Sequence, residues 1–121
     1  MKRPRHLFDT DVVIEMVRDE EYETGAIPII TVIEVLRGVK EEKRSKVKQL
    51  LENSFDVLGL ENRVIMTYCR LHRVLKEKGE TLPDADLLVA STAIAYDLVL
   101  KSGDGHFERV EEYGLALEKP E

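Results

Sequence analysis

The segment LVLKSGDGHF, residues 98–107, sets the pattern on which the fold prediction rests. The apolar residues at its start, Leu98–Leu100, are typical of a short buried strand, and the polar loop after them carries Asp104 between two glycines. The N-terminal region repeats this arrangement, because a short apolar run there leads directly into Asp9-Thr10-Asp11. Parallel strands meet with their carboxyl ends at one edge of a sheet, so the sequence predicts an acidic crevice at that edge.

Segments typical of strands and helices alternate along the chain, and this alternation predicts an α/β fold with a parallel sheet. Short apolar runs predict strands over residues 5–9, 27–30, 55–58, 98–101 and, at an edge of the sheet, 115–117. Apolar residues at helical spacing predict helices over residues 11–19, 31–38, 41–53, 61–78 and 81–95, with a short helix over 107–112.

Local signals assign particular positions within these elements. Thr31 and Glu34 fit a capping box at the start of a helix, and Pro28 marks the start of its strand or an edge strand. The stretch over residues 87–95 is apolar nearly all round, which predicts the central buried helix. Apolar residues of two other helices are expected to face the core: Val47, Leu50, Leu51, Val64, Ile65, Met66, Tyr68, Cys69, Leu71 and Leu75.

The 121-residue chain has the size and composition of one folded domain, which we expect to span residues 1–121. Its net charge of −6 argues against an ordinary nucleic-acid binder with a basic patch, unless bound cations reverse the sign locally. The single cysteine excludes an internal disulfide bond. Because neither a signal sequence nor a membrane-spanning run is recognisable, we expect a cytoplasmic protein with no membrane partner.

Acidic residues recur where a predicted strand ends or the next helix begins. Taken singly, they have ordinary roles as helix caps, as residues of a first helical turn, or as turn formers. Four carboxylates converging on one edge would instead repel one another and raise some of their pKa values. Mg²⁺ or Mn²⁺ would make such a cluster favourable, and a pair of these ions can hold a phosphodiester and activate water. Four such positions hold these acids: Asp9 and Asp11 at the first, Glu34 at the second, Asp84 and Asp86 at the third, and Asp104 at the fourth.

Four segments resemble, in order and in spacing, the motifs of the PIN-domain ribonucleases. They are FDTDVVI at 8–14, IEVLRG at 33–38, DADLLVASTA at 84–93 and SGDGHF at 102–107. The resemblance implies a single PIN-like nuclease domain, with a three-layer α/β/α fold around a central parallel sheet of four to five short strands. It implies that the catalytic and metal-binding residues are Asp9, Glu34, Asp86 and Asp104.

The resemblance also implies supporting roles beside this acidic quartet. Thr10 and Ser102 would orient the carboxylates, or a bound water, through their hydroxyl groups. Asp11 stands where the family more often has asparagine, so it is either a fifth acid of the site or a plain helix cap. Whether Asp84 belongs to the site is likewise left open by the sequence.

Basic side chains near the motifs carry less specific signals. Arg37 either contacts an RNA phosphate or pairs with Glu34 or Glu41. His106 is expected to pack within its loop. A run of basic residues interleaved with acids is expected to form a solvated helix face: Lys40, Lys43, Arg44, Lys46 and Lys48.

The function that the resemblance implies is a Mg²⁺- or Mn²⁺-dependent endoribonuclease. Metal held by the quartet would generate hydroxide for in-line attack on phosphorus, and hydrolysis would leave a 5′-phosphate and a 3′-hydroxyl. The resemblance further implies the toxin of a VapBC-type toxin–antitoxin pair. Its substrate would be RNA, its partner a cognate antitoxin protein, and its assembly a homodimer.

Two non-catalytic alternatives stay open from the sequence. A PIN-like scaffold would keep the fold without nuclease activity. A receiver-like module would also use an acidic Mg²⁺ pocket, but it needs an aspartate directly after the third strand and a lysine after the last central strand. Asp56 falls inside the predicted third strand, where its side chain would not reach the sheet edge, whereas Lys101 fits the lysine position.

Overall fold

A parallel sheet forms the centre of the fold in the computed structural model, which describes residues 4–121. Residues 1–3 of the predicted domain lie outside the described residues. The strands are β1 His6–Phe8, β2 Ala26–Pro28, β3 Asp56–Leu58, β4 Val99–Lys101 and β5 Ala116–Glu118. Their order in the sheet is β3-β2-β1-β4-β5, and all neighbouring pairs are parallel. All five carboxyl ends therefore lie at the same edge, which we call the carboxyl edge.

Helices cover both faces of the sheet. They are α1 Thr10–Asp19, α2 Ile29–Arg37, α3 Glu41–Ser54, α4 Asn62–Glu77 and α5 Asp84–Ala95, followed by a 3₁₀ helix, Gly105–Tyr113. Because side chains alternate along a strand, Phe8 packs in one core with α1, α2 and α3, while Leu7 packs in another with α4, α5 and the 3₁₀ helix. The predicted three-layer α/β/α fold with a parallel sheet is confirmed.

The junction between β2 and α2 differs from the prediction. Pro28 is the last residue of a strand inside the sheet, so its assignment to a strand start or an edge is wrong. Its backbone is extended (φ −75°, ψ 152°) and α2 begins at the next residue, Ile29. The capping box predicted at Thr31 is also wrong, because a cap needs extended backbone and Thr31 lies fully buried inside the helix.

Several apolar residues predicted for the core are exposed instead. α4 packs against α5 along one narrow stripe, so the residues that flank this stripe face outward. On α3, Leu51 is fully buried, whereas its neighbour Leu50, about 100° away around the helix axis, is 36% exposed. The exposed residues of α4 that the apolar spacing assigned to the core are Ile65, Met66 and Cys69; Tyr68 is half-buried.

The central helix α5 is as buried as its composition predicts. Six of its twelve residues are buried, including the polar Ser91 and Thr92. These two hydroxyls donate to the carbonyls of Leu87 and Leu88 one turn earlier, so neither hydroxyl is buried without a hydrogen-bond partner. Neither α5 nor any other helix within residues 4–121 combines the length and apolar character needed to cross a membrane.

Candidate active site

Asp9 is the most buried acidic side chain at the carboxyl edge. It follows β1 and caps the N-terminus of α1, where its Oδ1 accepts a hydrogen bond from the backbone N–H of Thr10 at 2.8 Å. Its Oδ2 accepts a second hydrogen bond, from the Ser102 hydroxyl at 2.7 Å. Only 8% of the residue is exposed. The side chain is thus a helix cap, one of the roles expected for it, and is also fixed at the edge where the other acids gather.

Ser102 joins Asp9 to the loop that follows β4. Its hydroxyl oxygen accepts from the backbone N–H of Asp104 at 3.0 Å while donating to Asp9. Its own backbone N–H donates to the Glu118 carbonyl of β5 at 3.1 Å. The predicted pairing of a hydroxyl group with the carboxylates therefore has a geometric basis, because one serine orients Asp9 and the backbone of Asp104 together.

Glu34 reaches the same region from α2. Its Oε1 accepts a 2.6 Å hydrogen bond from the Thr10 hydroxyl, which is also 3.1 Å from the Thr31 hydroxyl. Its Oε2 lies 3.6 Å from Nη2 of Arg37, an exposed side chain one turn along the helix. Of the two ion pairs considered for Arg37, the one with Glu34 is formed. Sequence reasoning missed Thr31 as a partner of Thr10, because the two residues are 21 positions apart and no local pattern links them.

Two further acids occupy different surroundings. Asp11 is exposed, and its Oδ2 lies 3.3 Å from the backbone N–H of Gly103, beside the loop that carries Asp104. Asp84 instead accepts a 2.6 Å hydrogen bond from the Tyr68 hydroxyl of α4, which raises the pKa of Tyr68. Asp11 is therefore adjacent to the site, while Asp84 is held by a neighbouring helix.

The loop after β4 also positions His106. Asp104 caps the 3₁₀ helix by accepting from the backbone N–H of His106 at 2.9 Å, and His106 Nδ1 lies 3.3 Å from the same carboxylate oxygen. The imidazole is exposed, so the prediction that His106 packs within its loop is wrong. The Asp104 carboxylate holds the ring at the solvent boundary of the site.

The electrostatics of Asp9 record both its burial and its acidic neighbours. Burial raises the pKa of Asp9 from 3.8 to about 6. The hydrogen bonds from Ser102 and Thr10 favour the charged form and lower the pKa, while the charges of Asp11 and Asp86 raise it. The two hydrogen bonds thus offset only part of the cost of burying the charged carboxylate, and the acidic neighbours add a smaller repulsion.

Asp86, in the first turn of α5, belongs to the same field. Partial burial raises its pKa first, and the charges of Asp104 and Glu34 raise it further, while His106 acts in the opposite direction. Asp9, Glu34, Asp86 and Asp104 therefore lie within electrostatic range of one another, although they come from four separate segments. Within residues 4–121, no Lys or Arg side chain forms an ion pair with Asp9, Asp86 or Asp104.

The chemistry of this donor set fits a hard divalent cation. Its side chains offer carboxylate and hydroxyl oxygens, which Mg²⁺ and Mn²⁺ prefer. In the described part of the chain, no three His, Cys, Asp or Glu side chains are grouped tightly enough to enclose an ion by themselves. Mg²⁺ commonly keeps several water ligands and uses only one or two carboxylates directly, so the arrangement suits a cation bound in part through water.

Comparison with known proteins identifies the family of this chain. Residues 7–113 match the PIN domain. Ribonuclease VapC1 of Methanocaldococcus jannaschii is 36% identical over 116 residues, which cover 92% of this chain and 85% of the relative.

Solved structures show the same fold. A VapBC complex with DNA from Salmonella typhimurium matches with a TM-score of 0.82 at 19% identity, covering 96% of this chain and 98% of the other. VapBC2 from Rickettsia felis, bound to a DNA fragment from its promoter, matches with a TM-score of 0.78 at 22% identity, covering 94% of this chain and 97% of the other. From its match to the PIN domain and its identity to Ribonuclease VapC1, the chain belongs to the PIN-domain family and is a VapC-like ribonuclease.

Proposed function

We propose that the protein is an endoribonuclease that depends on Mg²⁺ or Mn²⁺ and hydrolyses RNA phosphodiester bonds. Its catalytic and metal-binding residues would be Asp9, Glu34, Asp86 and Asp104. The observation that supports this assignment most is the convergence of these carboxylates on the carboxyl edge without a Lys or Arg partner for three of them in residues 4–121. Such a cluster is costly for a cation-free protein and useful for one that binds cations.

The chain's own residues would act mainly by holding the carboxylates in place. A divalent cation bound among them would supply the positive charge that activates a water molecule and stabilises the leaving oxygen. Ser102 fixes Asp9, and Thr10 fixes Glu34, so both carboxylates are oriented before substrate binds. Burial of Asp9 removes competing water from one side of the site. Asp11, beside the Asp104 loop, would add negative charge at the rim.

The biological role in this proposal is that of a VapBC-type toxin. The solved relatives are VapBC complexes, and their likeness in fold motivates a cognate antitoxin protein as partner. A homodimer, a cytoplasmic location where RNA is available, and a single PIN-like nuclease domain over 1–121 belong to the same proposal. Binding of a candidate antitoxin to the purified chain tests the partner, and the mass of the purified chain in solution tests the homodimer.

Cleavage by carboxylate variants tests the catalytic assignment. Asp9→Asn and Asp86→Asn should each lower the cleavage rate of pooled RNA in Mg²⁺ by about 100-fold or more, since even outer partners of metal ligands cost about 10- to 100-fold. Asp56→Asn, an exposed carboxylate at the start of β3, is the matched control and should cleave at the wild-type rate. An Asp9→Asn protein that cuts RNA as fast as the wild type would contradict the assignment.

The non-catalytic alternatives make different predictions. A receiver-like module has the sheet order 2-1-3-4-5, whereas this sheet runs β3-β2-β1-β4-β5. Asp56 is the first residue of β3, at the end of the strand opposite the carboxyl edge, so it does not occupy a receiver's phosphorylation position. A PIN-like scaffold without metal chemistry predicts no thermal stabilisation when Mg²⁺ or Mn²⁺ replaces EDTA, while the nuclease predicts a rise in Tm.

A further inference from the structure

Positive charge is concentrated around the start of α3. Residues 37–48 hold six of the chain's 18 Lys and Arg residues but two acids, a local excess of four positive charges in a chain of net charge −6. Lys43, Lys46, Val47 and Leu50 follow helical spacing and share one side of α3, and Lys40 immediately precedes the helix. We call Lys40, Lys43, Lys46, Val47 and Leu50 the α3 face.

The cations of this face are available for a partner. Lys40, Lys43 and Lys46 are exposed, and within residues 4–121 none of them forms an ion pair. Lys48, on another side of α3, is by contrast paired with Glu52 at 3.0 Å. An unpaired cluster of like charges in an otherwise acidic protein is complementary to a polyanion.

Apolar side chains lie between these cations. Val47 is half-buried and Leu50 is 36% exposed, and with Lys43 and Lys46 they line a depression of about 340 Å³. Val47 packs against the core that α3 shares with α1 and α2, so this apolar floor lies at the border of the buried side of α3. Alternating ammonium groups and apolar surface suit a strand whose phosphates face the lysines while a sugar or base covers the apolar residues.

The α3 face is also tied to the candidate active site. The Arg44 guanidinium donates to the carbonyls of Leu36 at 3.1 Å and Val39 at 2.9 Å, so the start of α3 is fixed against the end of α2. Arg37 ends α2, and its guanidinium lies beside Glu34 of the acidic quartet. The end of α2 that carries Arg37 therefore connects the acidic site to the start of α3.

We propose that the α3 face binds the phosphate backbone of single-stranded RNA and leads the strand past Arg37 to the acidic site. This inference rests on the proposed ribonuclease function and adds the surface that holds the substrate. Binding here would explain how a protein of net charge −6 retains a polyanion, because a cation held by the acidic quartet and the lysines of the α3 face would each supply positive charge to the RNA. An acidic segment of an antitoxin is the competing occupant, which the experiment distinguishes.

The test measures RNA binding in an Asp9→Asn background, where the proposed nuclease leaves the probe intact. A fluorescein-labelled, unstructured RNA oligonucleotide is titrated in Mg²⁺ over a series of salt concentrations, with fluorescence anisotropy as readout. The test variant replaces Lys40, Lys43 and Lys46 with glutamine. The matched control replaces three exposed cations at identical spacing on α4 with glutamine, namely Arg70, Arg73 and Lys76.

Removing one lysine–phosphate interaction should reduce the steepness of log K against log salt by about 0.7, so the slope of the α3 variant should be smaller by about 2. Its affinity should fall on the order of 10- to 100-fold at about 0.1 M salt. The α4 control should keep the slope of the Asp9→Asn protein that carries no lysine substitution. In the cleavage-competent chain, the same lysine substitutions should raise KM.

Three results of the RNA titration would overturn the inference: equal losses of affinity in the α3 and α4 variants, an unchanged slope in the α3 variant, or no salt-dependent RNA binding by the Asp9→Asn protein. Weakened binding of an antitoxin with RNA affinity intact would assign the face to that partner and overturn it as well. Failure of the ribonuclease proposal is recognised separately, because it appears as absence of RNA cleavage in the chain with Asp9 intact.

Discussion

Replacing Asp9 with asparagine should stabilise the metal-free protein at neutral pH even though it removes a proposed catalytic group. Burial raises the pKa of this carboxyl from 3.8 to about 6. The folded state then binds the Asp9 proton more tightly than the unfolded state, so the free energy of unfolding falls as pH rises from about 4 to 6 and is level above that range. A pKa difference of about 2 corresponds to a free energy of unfolding that is about 3 kcal/mol smaller at neutral pH.

Asparagine removes this penalty at the expense of one hydrogen bond. Thr10 and Ser102 donate to different oxygens of Asp9, and asparagine replaces one of these oxygens with an NH2 group, which costs about 1 kcal/mol. The net gain of about 2 kcal/mol corresponds to a rise in Tm of about 8 °C for a chain of this length. Thermal melts of the wild type and Asp9→Asn in EDTA, between about pH 4 and pH 8, measure the difference.

The pH dependence separates this mechanism from a general effect of the substitution. The advantage of Asp9→Asn should be present near pH 7.5 and absent near pH 4, where the wild-type carboxyl is protonated in the folded state. Asp56→Asn changes the same charge at an exposed site and should stay within about 0.5 kcal/mol of wild type at either pH. An Asp9→Asn protein that is less stable than wild type at pH 7.5, or equally shifted at both pH values, would refute the reasoning.

Particular contacts and exposures lead to three further predictions. Thr10→Val should slow RNA cleavage by about 10- to 100-fold because Glu34 loses its hydrogen bond, whereas Thr10→Ser should keep most of the activity. Equal single-turnover cleavage rates for Thr10→Val and the wild type would contradict this prediction. Gly25→Ala should destabilise the fold by about 1–3 kcal/mol in urea denaturation, because a Cβ there would lie 2.5 Å from Cε2 of Phe8; an unchanged midpoint would argue otherwise. Cys69 should react with Ellman's reagent in the native protein, and protection until unfolding would contradict its exposure.

The sheet and the acids at its carboxyl edge were predictable because the signal is local. Apolar runs that end in Asp9 or in the loop of Asp104 identify both the strand and the position of its carboxyl end. The order of elements then leaves few arrangements for a parallel sheet. Asp84 and Asp86 share the first turn of one helix, so this position predicted both equally, and only the resemblance to the PIN-domain motifs selected Asp86.

The parts that escaped prediction depend on contacts between distant residues. Glu34 pairs with Thr10 of another helix, a choice that competes with the local capping box and has no sequence signature. Asp84 is held by Tyr68, sixteen residues earlier, for the same reason. Leu50 and Met66 match the spacing of core residues, and only the packed neighbours of their helices show that both face outward. Apolar spacing predicts the presence of a helix more reliably than it predicts which of the helix's apolar residues are buried.

The direct passage from β2 into α2 limits how this chain can vary in length. Each residue of an α-helix turns the chain by about 100° and advances it by about 1.5 Å, so one residue inserted between Pro28 and Ile29 would swing Glu34 away from Thr10. No loop separates these two elements of the described chain to absorb the change. Insertions and deletions among relatives should therefore be concentrated in the polar connection over residues 20–25, whereas the spacing from Pro28 to Glu34 should be invariant.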